Sequence, residues 1–179
     1  MHLRLKEGDK LEISNPRNNF PLDESAAHTV LLAAGIGITP IIAMADRLQL
    51  LQKSFELHYF SRDPEHTAFQ DRLQKGEYAK KVSIHQGLDV DMTKIRLMNI
   101  LAEPQKDDQV YMCGPSPFMA TAETIALIHR PFEAVKLERF SANPAFEGAP
   151  TQAFELELAQ SGVTLVVAAN ETILEVLEA

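Results

Sequence analysis

Unbroken apolar runs alternate with segments of helical period between residues 25 and 141. The run from Val30 to Ala34 has no polar interruption, which is typical of a strand buried on both faces of a parallel sheet. Similar runs predict five strands at about Thr29–Ala34, Glu56–Ser61, Val82–His85, Gln109–Met112 and Ala134–Leu137. The segments between them predict helices at about Pro40–Leu51, Asp63–Gln74, Thr93–Leu101 and Ser116–His129. The second of these helices is predicted to bury Phe69 and Leu73, which are four residues apart. This alternation predicts an α/β fold with a five-stranded parallel sheet and helices on both faces.

The two ends of the chain have different patterns. A short strand is predicted at Leu11–Ser14, and residues 142–151 have the composition of a linker. Beyond the linker, Ala153–Ala159 and Val163–Ala168 predict a β-hairpin, and Glu171–Glu178 predicts the start of a helix. Neither end can bury a core by itself, so we expect both to be parts of larger modules.

The turn after the first strand is the strongest candidate site. Gly35 and Gly37 allow a sharp turn and a close backbone approach, and they lead into a helix. Thr39 is placed to cap that helix and Pro40 suits its first position, where no N–H group is needed. Because a helix N-terminus has unpaired N–H groups and a partial positive charge, this turn predicts a phosphate-binding cradle.

Two common phosphate motifs do not match this turn. Pro40 replaces the third glycine of the Gly-x-Gly-x-x-Gly dinucleotide fingerprint, and no lysine follows the glycines as in phosphate loops. A tight turn without a ligand is the alternative interpretation. The sequence repeats the cap-plus-proline pattern at Asp63-Pro64 and Ser116-Pro117, again after predicted strands. That is the edge where open α/β sheets bind ligands, which favours the functional interpretation.

Composition narrows the class of protein. The 179 residues carry a net charge of −8, which makes nucleic acid an improbable partner. The longest apolar stretch is interrupted and falls short of the roughly 20 residues of a membrane span, and the first residues have no apolar signal core, so we expect a cytoplasmic protein. The single cysteine excludes an internal disulfide and a cysteine-ligated cluster in this chain, and the histidines have no metal-ligand spacing, so no metal site is predicted.

Four stretches together resemble one protein group. They are Pro16-Arg17-Asn18-Asn19-Phe20-Pro21, the turn Gly35-Ile36-Gly37-Ile38-Thr39-Pro40, Ser61-Arg62-Asp63-Pro64 with Thr67-Ala68-Phe69, and Cys113-Gly114-Pro115 with Phe118-Met119. Their order and spacing resemble the phthalate dioxygenase reductase and vanillate demethylase reductase group of ferredoxin-reductase-like proteins. The resemblance covers roughly the whole chain.

The resemblance implies a division into domains. The group has an FMN-binding β-barrel, an NADH-binding α/β domain and a ferredoxin-like domain with a [2Fe–2S] cluster. Residues 1–24 match the tail of the barrel, residues 25–141 the NADH domain, and residues 152–179 the start of the ferredoxin-like domain. The flavin-phosphate residues and the cluster cysteines have no counterpart here, so we expect a truncated reductase whose intact activity is NADH binding.

The resemblance also implies roles for individual residues. The pyrophosphate side consists of Gly35, Ile36, Gly37, Ile38, Thr39 and Pro40. Ser61, Arg62 and Asp63 follow the second strand, where the adenosine ribose lies. Arg62 could attract the 2′-phosphate of NADPH, but the acidic Asp63 beside it repels that phosphate and favours NADH, although Asp63 also suits a helix cap. Thr39 is implied to lie near the nicotinamide and the flavin.

The hydride-transfer end is implied to lie at the fourth and fifth strands. Cys113, Gly114, Pro115, Phe118 and Met119 would line the nicotinamide side, with Cys113 acting through its position because no base accompanies it. A small, inert core side chain is the alternative for Cys113. Glu138 and Phe140 end the fifth strand, and an aromatic residue there covers the flavin ring in the group; interdomain packing is the alternative for Phe140.

The implied function is an NADH-dependent reductase component that passes electrons through FMN and an iron–sulfur centre to a Rieske-type aromatic oxygenase or O-demethylase. The flavin and the cluster would perform the chemistry. The alternative is a nucleotide-binding or docking module without turnover, which needs a partner to supply flavin. The incomplete ends could also pair with another copy of the chain.

Overall fold

A computed structural model describes residues 6, 8–140, 152–169 and 171–178. The central sheet has five parallel strands: β1 (His28–Ala34), β2 (Phe55–Ser61), β3 (Val82–Gln86), β4 (Asp108–Cys113) and β5 (Val135–Glu138). Their spatial order is β3-β2-β1-β4-β5. The predicted five-stranded parallel sheet is therefore confirmed, and the strand order reverses between β1 and β4.

Four helices connect these strands: α1 (Ile38–Leu50), α2 (Gln70–Lys75), α3 (Val90–Leu101) and α4 (Ser116–His129). Side chains of alternating orientation in β1 enter two separate hydrophobic cores. Leu31 packs in the core that contains residues of α1 and α2, whereas Leu32 packs in the core with residues of α3 and α4. Helices therefore cover both faces of the sheet, as the apolar runs predicted.

The predicted helix starts needed correction. Helix α1 begins at Ile38, its N-cap is Gly37, and Thr39 does not cap it. Instead, the Thr39 hydroxyl donates to the carbonyl of Ile36 at 3.0 Å. Helix α4 begins at Ser116 with Pro115 as the N-cap residue, so Ser116 is not a cap either. Local side-chain geometry decides such caps, and the residue type alone does not.

The second and third helices also differ from their predictions. Asp63 caps only a 3₁₀ turn, Pro64–His66, and α2 begins later. Phe69 precedes α2 in a left-handed conformation with φ 58° and is 46% exposed, so its predicted place in the core was wrong; Leu73 is fully buried as expected. Helix α3 begins three residues before Thr93, because the Asp89 side chain accepts from the N–H of Met92.

The N-terminal segment is not a strand in the described residues. The predicted strand Leu11–Ser14 has irregular backbone, because no described strand pairs with it. The chain joins the α/β unit at Phe20, whose ring lies 5.5 Å from that of Tyr111. The Tyr111 hydroxyl accepts from the N–H of Asp23 at 2.7 Å, which fixes the entry into β1.

The C-terminal prediction is confirmed where it is described. Strands β6 (Phe154–Leu158) and β7 (Val163–Val167) form an antiparallel hairpin, followed by α5 (Ile173–Glu178). The predicted linker at 142–151 lies outside the described residues. No helix in the described part of the chain has the length and apolarity needed to cross a bilayer.

Candidate functional site

The point where the strand order reverses brings two loops into direct backbone contact. A Cβ atom added to Gly37, after β1, would lie 2.1 Å from the carbonyl oxygen of Cys113, at the end of β4. No side chain fits in that space. The neighbouring Gly114 is similarly close, because a Cβ there would lie 2.9 Å from the Cβ of Ala34. Glycine is therefore required at both loops for the two strands to approach each other.

The turn at Gly35–Gly37 forms one 3₁₀ turn that leads directly into α1. Gly35 has φ +52°, a left-handed conformation that glycine adopts without strain. The hydroxyl of the fully buried Tyr59 donates to the Gly35 carbonyl at 3.1 Å. No side chain caps the first turn of α1, so the partial positive charge of the helix start is available to an anion. The N–H of Ile38 already bonds to the Gly35 carbonyl, and Pro40 has no N–H. Sequence reasoning missed Tyr59 because its contact crosses from β2.

A cavity of about 660 Å³ opens at the carboxyl ends of β1, β2 and β3. Of the predicted site residues, the structure brings six to its lining: Gly35, Ile36, Ser61, Arg62, Pro115 and Phe118. Sequence reasoning missed four other residues that line the cavity: Phe60, His66, His85 and Leu88. Only strand register could have identified Phe60 and His85, which are paired neighbours in β2 and β3. The volume is in the range of small-molecule sites.

Other predicted residues lie outside the cavity lining. Ile38 and Met119 are fully buried, each in one of the two hydrophobic cores. Thr39 and Pro40 lie in the first turn of α1. Glu138 pairs with Cys113 across β4 and β5, and Phe140 follows β5 with 57% of its surface exposed.

The loop after β2 is held by side-chain hydrogen bonds. The hydroxyls of Ser61 and Thr67 lie 2.7 Å apart, and Gln86 at the end of β3 donates to Thr67 at 2.8 Å. Asp63 accepts from the backbone N–H of His66 at 2.9 Å, and its Oδ1 atom also lies 2.7 Å from Nδ1 of the His66 ring. This hydrogen bonding to His66 lowers the pKa of Asp63, which therefore stays ionised at neutral pH. The predicted capping role of Asp63 is confirmed for the 3₁₀ turn.

Cys113 is suited to a positional role. Its side chain is 1% exposed, and burial, together with the negative charge of Glu138, raises the pKa of its thiol to about 11. The thiol is therefore protonated at neutral pH and is not a nucleophile. The part of Cys113 that shapes the site is its backbone carbonyl, which Gly37 approaches.

The chain is similar in sequence to proteins of known function. No protein-family model matches the chain. It is 39% identical to phthalate dioxygenase reductase of Burkholderia cepacia over 174 residues, which is 96% of this chain and 53% of the relative. It is 34% identical over 187 aligned positions to vanillate O-demethylase oxidoreductase of a Pseudomonas species, spanning 100% of this chain and 56% of the relative. The chain thus spans about half the length of these curated relatives.

A solved structure shares the fold. It is described as phthalate dioxygenase reductase, a modular structure for electron transfer from pyridine nucleotides to [2Fe–2S]. The match has a TM-score of 0.72 and 38% identity, and it covers 97% of this chain and 54% of that one.

Proposed function

We propose that this chain, a homologue of the phthalate dioxygenase and vanillate O-demethylase reductases over about half of their length, performs the NADH-binding step of such a reductase. The observation that carries the proposal is the contact of Gly37 with the Cys113 carbonyl at the strand reversal. The strand reversal at this contact lies beside a helix N-terminus without a side-chain cap, which is the general location of dinucleotides in open α/β sheets.

Each part of the site has one task in this proposal. The Gly35–Gly37 turn and the first turn of α1 bind the pyrophosphate. The loop containing Ser61, Arg62 and Asp63 binds the adenosine ribose, and the ionised Asp63 disfavours the 2′-phosphate of NADPH by charge repulsion. The nicotinamide lies toward Cys113 and Gly114, where the absence of a Cβ at Gly114 allows close approach.

The residues of the chain fit a nucleotide better than the other groups of the family. A single cysteine cannot ligate a [2Fe–2S] cluster, so no cluster step is assigned to this chain. FMN would accept hydride from the nicotinamide, and Phe140 is placed at an exposed position after β5 where it could cover a flavin ring. The protein's contribution is orientation, and no acid–base residue is assigned. The final electron acceptor in this proposal is a terminal oxygenase.

Calorimetric titration of the purified chain with NADH and NADPH tests the proposal. We expect NADH to bind more tightly, because Asp63 repels the extra phosphate, and we expect Asp63→Asn to reduce the difference. The matched control is Asp71→Asn. Asp71 lies in α2, and its side chain is 86% exposed, compared with 39% for Asp63. Failure of both nucleotides to bind would contradict the proposed function.

A second candidate is a nucleotide-binding module without turnover, and the presence of only one cysteine favours it. The colour of the preparation separates the candidates. A yellow sample that NADH bleaches supports a flavin-dependent reductase. A colourless sample that still binds NADH supports the module.

A further inference from the structure

The cavity beside β2 and β3 has an aromatic wall with one imidazole in it. The rings of Phe60 and His85 lie 4.5 Å apart between centroids, and those of Phe60 and Phe118 lie 5.2 Å apart. Leu88 and Val90 add apolar surface. Such a surface suits the flat face of a nucleobase. The assignment of this wall to a base rests on the proposed function, which puts the adenosine half of NADH at this end of the crevice.

Three titratable side chains, Glu56, His58 and His85, lie next to one another between the surface and this wall. The Nε2 atom of His58 lies 3.2 Å from Oε2 of Glu56, and the Nδ1 atom of His58 lies 3.2 Å from Nε2 of His85. The two imidazoles are stacked with an interplanar angle of 11°. His58 Nε2 is buried and has no hydrogen bond of good geometry among the described residues, so we treat its approach to Glu56 as an electrostatic contact.

This arrangement selects one tautomer for each ring. The contact with His58 lowers the pKa of Glu56, so its carboxylate is ionised and only accepts hydrogen bonds. A carboxylate beside His58 Nε2 favours the proton on that nitrogen, as it does in other carboxylate–histidine pairs. With that proton on Nε2, the Nδ1 atom of His58 is the acceptor of the hydrogen bond between the two rings, and Nε2 of His85 is its donor. The proton of His85 is therefore on Nε2, and its Nδ1 is an acceptor.

His85 is itself uncharged at neutral pH. Burial, and after it the electrostatic influence of His58 and Arg96, lowers the pKa of His85 to about 4. Two further groups act on Glu56: His28, whose Nε2 atom lies 3.9 Å from its carboxylate, and Arg130. No hydrogen bond joins His85 Nδ1 to another residue in the described part of the chain, and the side chain lines the cavity.

We propose that His85 is a specificity-determining residue for the base of the dinucleotide. Its Nδ1 atom accepts a hydrogen bond from the exocyclic amine of adenine, which is the only donor on that base. Glu56 and His58 are positioning residues that hold His85 in the accepting tautomer. Hypoxanthine has an oxygen acceptor in place of the amine and carries its polar proton on the neighbouring ring nitrogen N1. The His85 lone pair that meets the amine of adenine would therefore meet the oxygen of hypoxanthine, with the donor displaced by one ring position. The site therefore selects adenine over hypoxanthine.

Titration calorimetry with NADH and with reduced nicotinamide hypoxanthine dinucleotide tests this proposal. At pH 8 we expect the wild-type chain to bind NADH roughly five- to tenfold more tightly, the value of one hydrogen bond and a mismatched acceptor. His85→Phe retains the ring but removes both nitrogens, so the two affinities should become equal. His58→Phe leaves His85 in place but removes its fixed tautomer, so the ratio should fall toward one. Melting curves establish that each variant is folded.

The control variant is His129→Phe, at the exposed end of α4, which should retain the wild-type ratio. Equal affinities of the wild-type chain for the two dinucleotides would overturn the proposal for His85 while NADH binding itself still stood. If His85→Phe weakened both dinucleotides equally, His85 would contact a shared group such as the ribose, and the base-selectivity proposal would again be overturned. If neither dinucleotide bound, the proposed function would fail first.

Discussion

The two ends of the same parallel sheet are built on different principles. At the carboxyl end, β1 and β4 meet through backbone atoms at Gly37 and Cys113, beside a helix start without a side-chain cap. At the amino end, a buried charge pair holds the structure together. The buried Arg130 donates to both carboxylate oxygens of Asp108 and to the carbonyl of Leu101 at 2.8 Å. One end presents the positive end of a helix without a side-chain cap, and the other pairs a buried arginine with a buried aspartate.

Because of this difference, we expect the two ends of the sheet to affect different properties of the protein. Asp108 and Arg130 are each 5% exposed, so their charges are almost completely removed from water and depend on each other. The glycine junction, by which we mean the close approach of Gly37 and Gly114 between the ends of β1 and β4, contributes little buried side-chain surface in contrast. We therefore expect substitutions at the amino end to change the free energy of unfolding, and substitutions at the carboxyl end to change nucleotide affinity.

The largest effect is expected for Asp108→Ala. It leaves the Arg130 guanidinium buried without its counter-charge, which should lower the free energy of unfolding by about 3–5 kcal/mol. Urea denaturation measures this. The control is Asp71→Ala, whose partner Lys75 is 74% exposed and whose loss should cost nearly nothing. An equally small loss for Asp108→Ala would contradict the buried-pair argument. A changed NADH affinity of the folded Asp108→Ala protein would show that the amino end of the sheet also influences binding.

Gly37→Ala should have the next largest effect. The added Cβ must displace the Cys113 carbonyl, with which it would overlap, so the two loops move apart. We expect NADH to bind roughly tenfold more weakly or worse, and the free energy of unfolding to fall by about 1–3 kcal/mol. Calorimetry and urea denaturation measure the two effects.

Leu101→Ala is a matched control for Gly37→Ala. It removes a fully buried side chain at the far end of α3, so it should destabilise the protein without changing NADH affinity. Weakened binding in both variants would mean that affinity follows global stability rather than the junction.

The smallest effect is expected for Tyr59→Phe. This variant loses only the hydroxyl that donates to the Gly35 carbonyl. The loss should be about 1 kcal/mol in unfolding and about fivefold or less in NADH affinity, because one neutral hydrogen bond orients the turn. Tyr78→Phe, which removes a hydroxyl bonded to Asp46, should leave the affinity unchanged. An unchanged affinity for Tyr59→Phe as well would show that the glycines alone determine the turn.

Much of the fold could be predicted from local pattern. The apolar runs of β1 and β4 and the glycines after β1 identify buried parallel strands and a turn, because burial on both faces leaves few polar residues. Helix caps were predicted less well. Thr39 and Ser116 had suitable side chains, yet the first bonds to a carbonyl of its own turn and the second lies inside the helix. Caps depend on backbone angles that residue type does not reveal.

The site divides in the same way. Residue types and their order were enough to identify the parallel α/β class, the turn at Gly35–Gly37 and the loop after β2, because local backbone geometry requires those residues. The contact of Gly37 with the Cys113 carbonyl and the alignment of His58 with His85 became evident only in the folded chain. These contacts join strands distant in the chain, and their geometry depends on sheet order and register. Strand pairing of that kind is a property of the whole fold, since each partner is specified by packing on both faces.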